Sequence, residues 1–181
     1  MRSIQVVDYD SLWPDMFCAL RATVWAAVAD VALTIEHVGS TAVPGLAGKP
    51  IVDMDVVIPD ANVAIGITRL AAIGYLHRGD LGIAQREAFR SPTNTPQHHL
   101  YLCPVSSPAL RNHLTIRDYL RRHAEVAEAY GALKRRLARL YEHDMDGYVE
   151  AKSEFLITIL RDAGLSDENL LEIERMNRRP T

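Results

Sequence analysis

The segment "HVGSTAVPGLAGKPIVDMDVVI", residues 37–58, decides the fold because it joins two strand patterns through a loop rich in Gly and Pro. Its most apolar part, residues 51–58, nevertheless contains two carboxylates, Asp53 and Asp55. Strand residues two positions apart point to the same side of a sheet, so these acids share a face. A buried strand normally avoids unpaired charge. The sequence therefore predicts a cationic partner opposite the two acids.

The overall composition is that of a globular protein of modest size. The chain has 181 residues, of which 48% are hydrophobic and 24% charged, and its net charge is −3. This length suits one domain, or one domain with a helical extension. A net negative charge argues against general DNA binding, which usually shows a basic excess. Residues 1–60 are acidic and residues 111–139 are basic, which predicts a metal-holding part and an anion-holding part.

The cysteines and the N-terminus favour a cytoplasmic protein. Cys18 and Cys103 match no zinc-binding spacing, and free thiols are typical of a reducing compartment. The first residues lack the charged start and apolar core of a signal peptide. The longest apolar stretch, residues 24–33, is interrupted by Asp30 and is too short to span a bilayer. We therefore expect no membrane association.

The first half of the chain reads as a mixture of helices and strands. Hydrophobic periodicity distinguishes the two, and Gly and Pro mark the boundaries. The turn-rich segment "SPTNTP" separates the last two strands, which are expected to form a hairpin. The predicted elements are a helix at residues 14–29, strands at 33–38 and 51–58, a helix at 62–73, and strands at 75–80, 85–91 and 97–103.

The second half reads as four helices. Ser107 caps the first, Asp146 is expected to cap the third, and Ser166 is expected to cap the fourth. We accordingly predict an α/β core at residues 1–106 and a helical region at residues 107–181, packed on the core as one compact unit.

The opening segment combines two features that suit a nucleotide. Two carboxylates on one face suit Mg²⁺ or Mn²⁺, with water and phosphate oxygens completing the ligand shell. The turn at Gly39 and Ser40 leaves backbone N–H groups and a hydroxyl free to meet a phosphate, since glycine allows close approach. Together they predict a clamp for a nucleoside triphosphate and a metal. The alternative is a structural role, with Asp53 and Asp55 paired to Lys49 or an arginine.

Four stretches of the chain resemble the GrpB family. They are "YDSLWP", "IEHVGSTAVPGLAGKPIVDMDVVI", "HHLYLCPVSSPALRNHLTIRDYLRRHAEVAEAYGALKRRLA" and "YVEAKSEFL", which together extend over residues 6–160. The Gly-Ser pair followed by Asp-x-Asp is also similar to the signature of the nucleotidyltransferase superfamily. The resemblance implies an α+β fold, with a nucleotidyltransferase-like mixed β-sheet flanked by helices and a C-terminal helical half.

The resemblance also implies roles for the residues of the opening segment. Gly39 and Ser40 match the pair that contacts phosphate, and Asp53 and Asp55 match the acids that bind metal. Members of the superfamily usually add a third carboxylate from a later strand. The matching strand here, residues 97–102, contains no acid.

A histidine takes the expected position of the missing acid. Alternation along that strand places His99 and Tyr101 on one face. We expect His99 beside the aspartates, as a metal ligand or as a base. Glu87 on the neighbouring hairpin strand is the alternative source of a third acid.

The helical half is expected to complete the phosphate site. Tyr148 and Lys152 are four residues apart and so share a helix face. The resemblance makes these two residues, together with Lys134, candidates for contact with the triphosphate, although an exposed helical lysine is the default interpretation. Structural roles are expected elsewhere, namely for His37, His98, Trp13 and an ion pair of Arg117 with Asp118.

The leading hypothesis is a metal-dependent nucleotidyltransferase whose catalytic residues are Asp53, Asp55 and His99. It would use Mg²⁺ or Mn²⁺ to transfer a nucleotidyl group from a nucleoside triphosphate to a small molecule, a protein side chain or an RNA end. One alternative is a nucleotide-binding sensor that does not catalyse turnover. Another is a metal-dependent hydrolase built on the aspartates and histidines.

Overall fold

The computed structural model of the chain describes residues 3–166 together with Leu170 and Ile173. The helix predicted after Ser166 lies, apart from those two residues, outside the described part. The helices and strands, in chain order, are α1 (Trp13–Val28), β1 (Thr34–Val38), β2 (Val52–Ile58), α2 (Val63–Ala72), β3 (Leu76–His77), β4 (Glu87–Arg90), β5 (His98–Pro104), α3 (Pro108–Arg122), α4 (Ala124–Leu140) and α5 (Met145–Asp162).

The five strands form one mixed sheet in the order β1-β2-β5-β4-β3. β2 and β5 are parallel, and the other neighbouring pairs are antiparallel. Parallel neighbours require a crossover connection, and α2 lies within the segment that joins β2 to β5. The predicted α+β order is confirmed, and so is the hairpin of β4 with β5.

The two faces of the sheet have different partners. One face buries Met54 and Leu100 against α1 and α2 in the largest apolar cluster of the described residues. Burial of this apolar area drives the packing of the sheet. On the other face, Val57 and Cys103 pack against Leu110 of α3. The acids of β2 lie on this second face, beside the helical half.

The helices α3, α4 and α5 pack on the loop that follows β1. Their buried residues form a cluster with Val43 and Leu46 of that loop. Arg117 of α3 binds Glu36 of β1 at 2.7 Å and Asp118 at 2.7 Å, so the expected Arg117–Asp118 ion pair is present and also reaches the sheet. Arg121 of α3 also donates to the Ala42 carbonyl oxygen of the loop at 2.9 Å, so α3 fixes both the end of β1 and the loop after it.

The N-terminal cap of α5 differs from the prediction. The cap is Asp144, whose side chain accepts a hydrogen bond from the Gly147 N–H at 2.9 Å. Asp146 lies inside the first turn, because the helix begins two residues earlier than the sequence suggested. A cap must precede the first helical residue for its carboxylate to reach the free N–H groups. None of the helices in the described part is long and apolar enough to cross a bilayer.

Candidate active site

Asp53 of β2 and His99 of β5 lie side by side in the sheet. Their positions are paired in the parallel ladder, and His99 Nδ1 lies 2.7 Å from Asp53 Oδ1. The sequence placed His99 beside the aspartates, and the structure confirms that position. With Nδ1–H donating to the carboxylate, the second ring nitrogen, Nε2, keeps a free lone pair. The side chain of His99 is 44% exposed, so part of the ring is open to a substrate.

Asp55 has its own histidine, which sequence reasoning missed. His113 Nδ1 of α3 lies 2.7 Å from Asp55 Oδ2, and the Asp55 side chain is fully buried. Burial lowers the pKa of His113, but the charge of Asp55 and its hydrogen bond raise the pKa more, so it lies above its ordinary value. Each of the two acids therefore has an imidazole as its partner, His99 for Asp53 and His113 for Asp55.

Within the described part of the chain, two buried polar atoms on this face of the sheet have no hydrogen-bond partner. They are Asp55 Oδ1 and Arg86 Nε. The Arg86 guanidinium lies 4.4 Å from the centre of the Tyr101 ring. A buried carboxylate oxygen without a donor is costly unless a ligand satisfies it. The free oxygen of Asp55 is therefore suited to bind a cation, and the carboxylate oxygens of Asp53 are hard ligands suited to the same ion.

The described residues supply too few ligands to hold a metal ion alone. They contain no group of three or more His, Cys, Asp and Glu side chains arranged for a cation. Mg²⁺ commonly binds through one or two carboxylates together with water and substrate phosphates. Asp53 and Asp55 fit that kind of site, in which substrate oxygens complete the shell.

Glu87 does not supply a third carboxylate, so the alternative to His99 was wrong. Glu87 lies opposite Leu102 in the antiparallel ladder, and Leu102 is buried in the core on the other face. Cross-strand partners share a face, so Glu87 points away from the acids. Its carboxylate instead binds His77 Nε2 at 2.6 Å.

Gly39 brings the end of β1 directly against Asp53. Its φ is 71° and its ψ is −169°, a backbone region that only glycine adopts readily. A Cβ at this position would lie 2.2 Å from Asp53 Oδ2. Glycine is therefore required both for the turn and for the space.

Gly39→Ala is expected to lower the free energy of unfolding by about 1–3 kcal/mol through backbone strain, with a further loss from the clash with Asp53. Gly45→Ala is the matched control, because Gly45 also has a positive φ, of 78°, but nothing lies within 4 Å of its added Cβ. Urea unfolding of the two variants measures the difference. Equal losses would show that contact with Asp53 plays no part.

Ser40 binds a buried lysine of α4. Lys134 Nζ donates to Ser40 Oγ at 2.6 Å, and Lys134 is 2% exposed. Burial lowers the pKa of Lys134 to about 7, with Lys152 and Arg135 lowering it further and Asp53 opposing them. Among the described residues, no carboxylate lies within ion-pair distance of Lys134. This ammonium group therefore lacks the counter-ion that burial demands.

Lys134 belongs to a lysine cluster, defined here as Lys49, Lys134 and Lys152. Lys152 and Lys49 lie over the Tyr148 ring, at 5.4 and 5.9 Å from its centre. Burial and the charge of Lys49 lower the pKa of Lys152 to about 8, against the effect of Asp53. Tyr148 is buried, which raises the pKa of its hydroxyl to about 12, so it contributes a ring face to the cluster. Sequence reasoning considered Lys49 only as a partner of the aspartates.

The other two histidines of these strands are structural. His37 stacks on Phe17 and shares a hydrogen bond of 2.9 Å with Thr41 Oγ1. Burial, with the charges of nearby arginines, lowers the pKa of His37 to about 4, so it is neutral near pH 7. His98 lies on the core side and bonds the Tyr75 hydroxyl at 2.7 Å.

The sequence is similar to a family known from bacteria. The family model described as "GrpB protein" matches residues 3–162. The UPF0157 protein YqkA of Bacillus subtilis is 30% identical over 90% of this chain and 48% of the relative, so the chain spans about half its length. A UPF0157 protein of Pseudomonas aeruginosa is 34% identical over 87% of this chain and 66% of the relative. A UPF0157 protein of Streptomyces coelicolor is 34% identical, covering 89% of this chain and 84% of the relative.

Solved structures show the same fold. Conserved protein GrpB from Enterococcus faecalis superposes with a TM-score of 0.79 at 30% identity, covering 88% of this chain and 96% of that one. Cid1, solved in complex with its short product ApU, superposes with a TM-score of 0.52 at 17% identity, covering 74% of this chain and 43% of that one. The fold is therefore nucleotidyltransferase-like, as the sequence resemblance implied.

Proposed function

We propose that this chain, which belongs to the GrpB protein family, is a metal-dependent nucleotidyltransferase that binds a nucleoside triphosphate and transfers its nucleotidyl group to an acceptor. One observation carries the proposal. Two carboxylates held by histidines lie next to a lysine cluster that has a hydroxyl partner and, among the residues the structure describes, no carboxylate partner. This arrangement suits a ligand that presents negative charge to the lysine cluster and carries a metal cation next to the two carboxylates.

The lysine cluster and Ser40 form the phosphate-binding half. Lys134 and Lys152 are desolvated and repel other cations, which lowers the pKa of both groups. A bound triphosphate would supply the missing negative charge and favour both ammonium forms. Gly48 allows the backbone to lie directly against Ser40, because a Cβ there would lie 2.7 Å from Ser40 Cβ.

Asp53 and Asp55 form the metal-binding half. A Mg²⁺ or Mn²⁺ ion bound by these carboxylates would neutralise charge on the reacting phosphate oxygens. His99 and His113 each hold one carboxylate oxygen, so each acid is oriented before substrate arrives. In this proposal the Nδ1–H group of His99 donates to Asp53, and Nε2 remains free to accept a proton from the acceptor hydroxyl.

The transfer step uses His99 as the proton acceptor. The hydroxyl oxygen of the acceptor attacks the α-phosphorus and forms a new O–P bond, while the bond from that phosphorus to the α–β bridging oxygen breaks. The hydroxyl proton passes to His99 Nε2, and pyrophosphate leaves with its charge held by Lys134 and Lys152. His99 therefore takes the proton in this step, and Asp53 and Asp55 are the residues that would hold the metal ion.

A second candidate function follows from one observation. β5 carries His99 where the superfamily usually has a third carboxylate, so a nucleotide-binding protein without turnover is also consistent with the site. It would keep the same lysine cluster and the same pair of acids. Product analysis separates this sensor from the transferase.

The proposal is tested by calorimetry of each nucleoside triphosphate with and without Mg²⁺ or Mn²⁺, followed by incubation with α-³²P-labelled triphosphate and pooled hydroxyl acceptors. Metal-dependent binding with labelled acceptor and released pyrophosphate is the expected result. Binding without any product would favour the sensor, and a hydrolysed nucleotide without acceptor would favour a hydrolase. Absence of binding under every condition would contradict the proposal.

Triphosphate affinity is expected to fall as pH rises from 7 to 9. In the free protein the pKa of Lys134 is lowered to about 7 and that of Lys152 to about 8. A bound triphosphate raises both pKa values, so binding above pH 7 takes up protons, and affinity drops by up to about tenfold per pH unit per lysine. Calorimetry at pH 7, 8 and 9 in buffers of different ionisation enthalpy counts those protons. A constant affinity over this range would contradict the expectation.

A further inference from the structure

The acid-bearing face of the sheet continues past β5 into an open groove. Ala88 of β4 lies opposite Tyr101, so alternation along β4 places Arg90 on this face as well. A groove of about 650 Å³ lies there. The residues of this face that line it include Arg78, Arg90, His99 and Tyr101. In the part of the chain that the structure describes, no Asp or Glu lines the groove.

The groove and the lysine cluster lie on opposite sides of the acids. Ser40 follows β1, which is the edge strand beside β2, whereas β5 and β4 lie on the other side of β2. In an in-line displacement, the attacking oxygen and the leaving pyrophosphate occupy opposite sides of the α-phosphorus. If the lysine cluster holds the pyrophosphate, the nucleophile enters from the groove. This step rests on the proposed function.

The arginines of the groove indicate the charge of the nucleophile. Within the described chain, neither Arg78 nor Arg90 has a carboxylate within ion-pair distance. Arg86 adds a third guanidinium beside Tyr101, with a buried Nε that has no partner. A guanidinium binds carboxylate or phosphate through paired hydrogen bonds, which makes these side chains suited to an anion.

We propose that the groove is the acceptor subsite, and that the acceptor is a small hydroxyl compound carrying a phosphate or carboxylate group. The anionic group binds Arg78 and Arg90, and the hydroxyl faces His99 Nε2. The volume lies within the range of small-molecule sites, roughly 300–1,000 Å³. A net charge of −3 disfavours a long polyanion, which favours the small acceptor over an RNA end.

The subsite is tested by titrating the protein with inorganic phosphate in one arm of the experiment and with acetate in another. The NMR signals of the arginine Nε–Hε groups are followed in both arms. The signals of Arg78 and Arg90, assigned through Arg78→Gln and Arg90→Gln, are expected to shift and saturate in at least one arm. The arm that saturates at lower concentration identifies the anion. Arg69→Gln is the matched control, because Arg69 lies on α2 at the opposite face and pairs with Asp30, and its loss should leave the saturation unchanged.

Two further arms, triphosphate calorimetry and a titration with a short oligouridine, distinguish failure of the subsite from failure of the proposed function. If triphosphate binds by calorimetry but neither anion shifts Arg78 or Arg90, the subsite is overturned and the proposed function stands. If a short oligouridine shifts these signals at least tenfold more tightly than phosphate, an RNA acceptor replaces the small one. If no triphosphate binds, the acceptor role is overturned together with the proposed function.

Discussion

Replacement of both Asp53 and Asp55 by asparagine is expected to abolish metal-dependent triphosphate binding and to lower nucleotidyl transfer by about three orders of magnitude. A metal ion in such a site supplies several kcal/mol of charge stabilisation, which corresponds to a rate change of that size. Asparagine keeps the shape of the side chain and removes the charge that a hard cation requires. Calorimetry and the labelled-triphosphate assay measure the two effects.

The single variants distinguish loss of metal from loss of folding. Asp55 is fully buried against His113, whereas the Asp53 side chain is 28% exposed, so Asp53→Asn should perturb the fold less. In Asp55→Asn the pKa of His113 should fall, because the carboxylate that raises it is gone. Asp30→Asn, at an exposed ion pair on the other side of the sheet, is the matched control. Undiminished metal-dependent binding in a folded Asp53→Asn variant would contradict the clamp.

Lys134→Met is expected to weaken triphosphate binding by about 10- to 100-fold and to raise thermal stability at low pH. The loss of affinity corresponds to about 1.5–3 kcal/mol for a hydrogen bond to a charged group. Methionine fills the same space without requiring burial of an ammonium group. The two effects have opposite signs, so a general disturbance of the fold would not reproduce them.

The pH dependence of that stability gain follows from the lowered pKa of Lys134. Below pH 7 both the folded and the unfolded chain carry the proton, and the folded chain bears the full cost of the buried charge. Between pH 7 and about 10.5 the unfolded chain binds more protons, so wild-type stability rises with pH and the advantage of methionine shrinks. Melting temperatures from pH 6 to 10 measure this trend.

Arg136→Met is the matched control for Lys134→Met, since Arg136 is an exposed cation on the same helix. It should change neither triphosphate affinity nor melting temperature by much, because exposed charges contribute little to stability. If Lys134→Met kept wild-type affinity for triphosphate, the phosphate-binding role of the lysine cluster would be lost.

The sequence predicted the parts of the site that depend on local periodicity. The two-residue repeat of a strand places Asp53 and Asp55 on one face, and the same rule places His99 next to them once β5 pairs with β2. Gly39 was singled out from the turn pattern. These inferences need no knowledge of how helices dock.

The parts that depend on register and docking were missed. Glu87 and Arg86 are neighbours, so a one-residue change of register exchanges which of them faces the acids, and the long β4–β5 loop leaves that register open. His113 and Asp55 are 58 positions apart in the chain. Their contact depends on the orientation of α3 on the sheet, which the packing of Leu110 and Leu114 determines. The only sequence signal was a histidine within an apolar stripe. Burial of Lys134 likewise depends on how α4 packs on the loop after β1.

Ser40 and Lys134 are 94 positions apart in the chain, so their contact closes a long loop during folding. The strands that carry the acids can pair as soon as the sheet assembles, whereas the phosphate-binding half exists only after α4 has docked. The chain entropy lost in closing such a long loop must be paid before the contact forms, which slows folding. A bound nucleotide that contacts both Ser40 and Lys134 would hold α4 against the loop after β1, so amide hydrogens of α4 should exchange more slowly when the site is filled.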